Sequence, residues 1–254
     1  MYKEEFLLAA NAAKSKVSLL KSGKQKYLIA SILAGFYIGL GIMLIFTIGG
    51  LLSSAQSPMT KIVMGLSFGV ALSLVIAAGA ELFTGNNFVM TAGILKKTIT
   101  MKSGIVLWIF NFIGNLIGSV VGGYLYVLSG VSNEPINKFI VNISYAKMHG
   151  APMELIIRGF FCNVLVCLAV WTTFRLKNES ARLIMVFWCL FAFITTGFEH
   201  SIANMTLLTI GLLVPHPETV NLAGYLYNIG LVTIGNMIGG ILLAVSYWII
   251  SKES

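Results

Sequence analysis

The sequence predicts an all-α integral membrane protein in which six transmembrane helices form two inverted repeats of three (3+3), with spans 2 and 5 broken near their middles. Three observations carry that prediction. Of 254 residues, 57% are hydrophobic and only 10% charged, less than half the usual charged fraction of about a quarter. Charge-free stretches long enough to cross a bilayer recur along the chain, since about 20 apolar residues suffice. Two further apolar regions are too long for one crossing, and each is interrupted by a lone acidic residue. A soluble globule of this composition would have to expose apolar surface that its few charges cannot replace.

Residues 1–26 come first, lysine-rich, with Phe6, Leu7, Ala10, Ala13, Val17 and Leu20 near helical spacing. They predict an amphipathic helix lying at the membrane surface, and they lack the layout of a cleavable signal. Residues 27–129 form the first repeat: a span near 28–52, the interrupted region 62–95 around Glu81, and a span near 105–129. Residues 130–250 form the second: a span near 154–174, the interrupted region 183–213 around Glu199, and a span near 224–250, followed by a short tail, 251–254. Each interrupted region predicts two half-helices joined by non-helical backbone. Tyr27, Trp171 and Trp248 near span ends read as interfacial anchors, and His149 and His216 as water-facing residues of outer loops.

The net charge of +8 would suggest nucleic acid in a soluble protein, but here the cations flank apolar stretches and report topology instead. Lys3, Lys14, Lys16, Lys21, Lys24, Lys26, Lys96, Lys97, Lys102, Arg175, Lys177, Arg182 and Lys252 fall on one face, against Lys61, Lys138, Lys147 and Arg158 on the other. The imbalance predicts that both termini are cytoplasmic. Cys162, Cys167 and Cys189 lie inside apolar runs without a CxxC spacing and read as small core residues.

An internal repeat supports the two halves. Gly79, Glu81 and Asn86 recur as Gly197, Glu199 and Asn204 at a separation of 118 residues, and the segment at Ile113–Gly118 recurs at Ile234–Gly239 at 121. A weaker match sets Gly35-Phe36 on Gly159-Phe160. Because each half has three spans, the second must enter the membrane from the opposite face. Such inverted repeats bring broken helices together near the bilayer midplane, where non-helical backbone is tolerated only in protein or along a wet cavity. The glycine-rich segments 114–123 and 235–240 are expected to let helix backbones approach closely.

The strings AGAELFTGNN (78–87), KMH (147–149), NVLVCLAVW (163–171) and GFEHSIANM (197–205), taken together, resemble the formate/nitrite transporter family over nearly the whole chain. The resemblance implies an aquaporin-like fold, a homopentamer with one anion pathway in each protomer, and small monovalent anions as cargo: formate, nitrite and hydrosulfide. The lysine-rich start and the LFTGNN break look most similar to the hydrosulfide channels, with formate and nitrite as the alternative substrates. It further implies a bacterial inner (cytoplasmic) membrane protein whose partners are these anions and the lipid bilayer, without cofactor or nucleic acid.

His200, an ionisable ring beside a break, is the sharpest site candidate. The repeat places Thr84 in the opposing break as its partner, with a hydroxyl that both donates and accepts. Two schemes fit the pair. A protonated His200 offsets the cost of dehydrating an anion, or it passes a proton so that the weak acid crosses neutral. Half-helix N-termini at Asn86 or Asn204 would add donors and positive dipole to either. The resemblance implies an outer constriction at Phe68, Leu72 and Phe193, a cytoplasmic one at Leu82, Asn163 and Val166, and a further lining residue, Phe198. Lys16 and Lys147 would raise the anion concentration at the entrances. Glu81 and Glu199 are expected to be structural, accepting backbone N–H groups freed by the breaks.

Competing classes fare worse. A neutral-solute pore would carry paired Asn-Pro-Ala motifs and a filter arginine, and neither break contains proline or arginine. A hydrolase would need more than adjacent His200-Ser201, and no GxSxG-like element or acid–base pair accompanies it. Three scattered histidines do not make a metal ligand set.

Overall fold

The computed structural model describes residues 2–252, which form ten helices and no strand. They are α1 (Lys3–Ser22), α2 (Lys24–Ser54), α3 (Thr60–Ala77), α4 (Phe83–Leu95), α5 (Met101–Leu128), α6 (Glu134–Met148), α7 (Pro152–Arg175), α8 (Glu179–Thr196), α9 (Ser201–Leu213) and α10 (Leu222–Ile250). Six of these, α2, α3, α5, α7, α8 and α10, are long and apolar enough to cross a membrane. Residues 253–254 of the predicted tail lie outside the described residues.

Both interrupted regions are broken helices. α3 ends at Ala77 and α4 starts at Phe83; α8 ends at Thr196 and α9 starts at Ser201. Glycine makes each exit possible, because Gly79 (φ +75°) and Gly197 (φ +82°) occupy the left-handed region that side chains resist. The two halves interlock through the half-helices: α4 packs on α10 and α9 on α5. Close approach by small residues is borne out at Gly118, where a Cβ would run into the Ile32 carbonyl, and at Gly235, where it would meet Ile156.

Several sequence expectations need correction. The 130–150 segment is not merely a loop: α6 occupies Glu134–Met148, started by Asn133, whose side chain accepts the Ile136 N–H. It is the counterpart of α1, so each half consists of five helices. α1 does not simply float on the membrane, since its apolar face (Phe6, Ala9, Ala10, Ala13, Val17, Leu20) is buried on the protein, chiefly on α4. Tyr27 and Trp171 are not interfacial anchors. Trp171 is only 1% exposed, in an aromatic cluster with Phe6, Phe88 and Tyr247, and Tyr27 is fully buried.

Candidate functional site

A helix break at membrane depth frees peptide groups that lipid cannot satisfy, and two asparagines take them up. Asn115 on α5 accepts the Phe83 N–H at 2.8 Å and donates to the Glu81 carbonyl at 2.9 Å. Asn236 on α10 accepts the Ser201 N–H at 2.9 Å and donates to the Glu199 carbonyl at 2.9 Å. The Glu81 and Glu199 N–H groups go to the carbonyls of Ala30 and Arg158. The glutamate side chains therefore do not serve the freed N–H groups as expected, because the asparagines already do.

The carboxylates instead bind cations. Lys16 Nζ lies 2.7 Å from both Glu81 oxygens, and Lys147 Nζ lies 2.6 Å from Glu199 Oε2. Asn86 donates to Glu81 and to Asn111 Oδ1, just as Asn204 donates to Glu199 and Asn228 Oδ1. Tyr27 adds its hydroxyl to Glu81 alone. Each lysine is thus paired with a buried carboxylate, and neither stands as a free positive charge at an entrance. Asn86 and Asn204 do not mark the half-helix starts either. Their N–H groups already bond Leu82 and His200 one turn back.

The true starts of the half-helices meet. Thr84 lies in the first turn of α4, His200 is the N-cap of α9, and Thr84 Oγ1 is 3.0 Å from His200 Nε2. The ring's roles follow from its other nitrogen. Nδ1 accepts the Ala203 N–H at 3.1 Å, so the neutral ring carries its proton on Nε2 and donates it to Thr84. The Thr84 hydroxyl then keeps its own proton for another acceptor. A proton on Nδ1 would set two donors against each other and break the cap. Two helix N-termini, each with positive dipole, are thereby joined at one donor pair.

On the α6 side, Phe193 stacks on the His200 ring (centroids 5.9 Å apart) and Phe68 meets Phe193 edge-on at 5.6 Å. Leu72 lies one turn beyond Phe68, and all three are nearly fully buried. Beyond them opens a vestibule of about 740 Å³, reaching from the Ser53–Lys61 region to Phe193, Phe198 and His200. On the other side of Thr84, Asn163 donates to the Thr84 carbonyl at 3.3 Å and the Cys167 thiol does so at 3.4 Å. Leu82 and Val166 are 4% and 1% exposed. Of the site residues named from the sequence, His200, Thr84, Phe193, Phe68 and Asn163 are therefore joined in one chain of contacts, Leu72, Leu82 and Val166 are buried, and each lysine, glutamate and asparagine set forms its own cluster at a break. Those missed are Asn111, Asn115, Asn228, Asn236 and Tyr27. The repeat around Asn115 and Asn236 held the signal, but only its glycines were read. His149 caps α6 in water and His216 is exposed, both as expected.

Among known proteins, the family described as formate/nitrite transporter matches residues 3–249. The nitrite transporter NirC of Escherichia coli K12 is 41% identical over 242 residues, 94% of this chain and 88% of its own. A solved FNT family ion channel superposes with a TM-score of 0.93 at 37% identity, covering 98% of this chain and 99% of that one. A pentameric formate channel with formate bound gives 0.75 at 26%, covering 89% and 96%. These relatives are transporters and channels rather than enzymes. Ten helices in an inverted repeat, six of them long enough to span, joined to a match over nearly every residue, settle the assignment: this multi-pass membrane protein belongs to the formate/nitrite transporter family.

Proposed function

We propose that this protein conducts small monovalent anions across the bacterial inner membrane, each protomer of a homopentamer having its own pathway. The termini are cytoplasmic on this reading, as the lysine distribution argues, and the vestibule beside α6 is the outer entrance. An anion passes the Phe68–Leu72–Phe193 ring, reaches His200 and Thr84, and leaves past Leu82, Asn163 and Val166. Apolar rings of this kind exclude hydrated ions by dewetting.

The observation that carries the reading is the 3.0 Å contact between Thr84 Oγ1 and His200 Nε2 at two converging helix N-termini. A dehydrated anion needs donors in place of its water. The Thr84 hydroxyl supplies one, polarised by the His200 N–H behind it, and the helix dipoles supply positive potential. This favours a neutral ring acting as donor over a fixed imidazolium.

The anion proposed is nitrite, supported by the name of the relative at 41% identity. Hydrosulfide is the second reading, favoured by the LFTGNN break at 82–87 and the lysine-rich start. Liposomes carrying the purified protein, given nitrite, formate, hydrosulfide and chloride in turn, test both. Fastest nitrite flux supports the first reading and fastest hydrosulfide flux the second. Water or glycerol flux without anion flux would overturn the proposal.

A further inference from the structure

The vestibule beside α6 is larger and greasier than a small hydrated anion requires. Its volume of about 740 Å³ falls within the roughly 300–1,000 Å³ of pockets that enclose drug-sized organic ligands. Its wall is mostly apolar, with Phe46 from α2, Phe139 and Ile143 from α6, Leu155 from α7, Phe198 from the second break and Leu207 from α9. Nitrite and formate have no apolar body to place there, so these side chains do nothing for them beyond leaving space.

The charges on that wall are one-sided. Lys61, Lys147 and Arg158 line the vestibule against a single carboxylate, Glu199, which is already held by Lys147 at 2.6 Å. Lys61 is exposed, and Arg158 is exposed with one contact to the equally exposed Glu154. An exposed pair of that kind is weak and readily exchanged. Apolar walls below and exchangeable cations beside them complement a molecule with an apolar tail and an anionic head.

We propose that the vestibule is a binding site for amphipathic monoanions of the medium-chain fatty acid class, whose carboxylate is held by Lys61 and Arg158 and whose tail lies along the Phe139–Ile143 wall. Bound there, the tail covers Phe193 and His200 and closes the pathway to small anions. The block rests on the conduction reading above; the binding does not.

The probe is decanoate, with decanol as its uncharged counterpart and acetate as the head without a tail. Binding is measured by calorimetry on the wild-type protein in nanodiscs, with protein-free nanodiscs subtracted for partition into lipid. Saturable decanoate binding is expected, with acetate undetectable. Affinity should fall by about tenfold or more in Lys61→Gln/Arg158→Gln and again in Ile143→Gln. Decanol binding as tightly as decanoate, or affinity unmoved by both variants, would overturn the proposal. Nitrite entry into liposomes is followed in parallel with decanoate outside. Binding intact in vesicles that conduct no nitrite counts against conduction alone, whereas conduction unaffected by saturating bound decanoate removes the block.

Discussion

Lys147 reaches across 52 residues to place its ammonium 2.6 Å from the Glu199 carboxylate, and Lys16 and Glu81 repeat the arrangement in the other half at 2.7 Å. The lysines come from α6 and α1, the helices that precede each set of spans. Each break is therefore tied to a helix outside the main bundle. Replacing Lys147 with Met leaves Glu199 buried with Asn204 as its side-chain donor. Breaking a buried pair in this way costs about 3 kcal/mol, and Lys147→Met/Glu199→Gln should recover most of it. A double-mutant cycle on thermal unfolding in detergent measures the coupling, and additive losses would contradict the pairing.

Asn115 should be as critical as a residue in the pathway although it touches no anion. Asn115→Ala strands the Phe83 N–H in the break, at roughly 1–3 kcal/mol, while the Glu81 carbonyl keeps the Asn111 amide at 2.6 Å. The local expectation is sharper than the global one. Hydrogen exchange at Phe83 should accelerate while Ser201, served by Asn236, keeps its protection.

Gly118 and Gly230 make a matched pair. A Cβ at Gly118 meets the Ile32 backbone, which cannot yield, whereas nothing lies within 4 Å of one at Gly230. Gly118→Ala should lower the unfolding temperature markedly or abolish folded protein. Gly230→Ala should be neutral or raise stability by up to about 1 kcal/mol, the conformational entropy that glycine gives up in a helix.

Phe6 fixes α1 to the bundle through edge and tilted contacts with Phe88 and Trp171 at 6.4 Å. Phe6→Ala should cost about 3–5 kcal/mol if it unfolds the whole chain and much less if α1 detaches alone. Limited proteolysis distinguishes the two, since a detached α1 is cut before the spans lose their structure.

What the sequence made legible follows from what its physics records locally. Charge-free length located the spans: 28–52, 154–174 and 224–250 lie within α2, α7 and α10, and 105–129 runs one residue past the end of α5. The inverted repeat located both breaks, because Gly79 and Gly197 are needed for the chain to turn out of helix there. α6 was missed because it is amphipathic rather than apolar, although Ile136, Ile140, Ser144 and Met148 recur on its buried face and Asn133 caps it. The lysine–glutamate pairs were invisible for another reason. Both partners were noticed, but their meeting is a tertiary fact that neither local pattern contains. Tyr27 misled because a tyrosine at a span end sits in the same place whether it anchors in headgroups or donates to a buried carboxylate.

The most direct measurement is nitrite flux into liposomes through the wild type, Thr84→Val and His200→Asn. Valine keeps the shape of threonine without its hydroxyl, and asparagine keeps an N-cap acceptor for the Ala203 N–H, so both variants should fold. A hydrogen bond to a charged partner is worth about 1.5–3 kcal/mol, which corresponds to about a ten- to hundredfold loss of rate for Thr84→Val. His200→Asn should lose less, because it removes only the donor behind the hydroxyl. Wild-type flux in Thr84→Val at equal protein content would contradict the claim that an anion crosses at the Thr84–His200 pair.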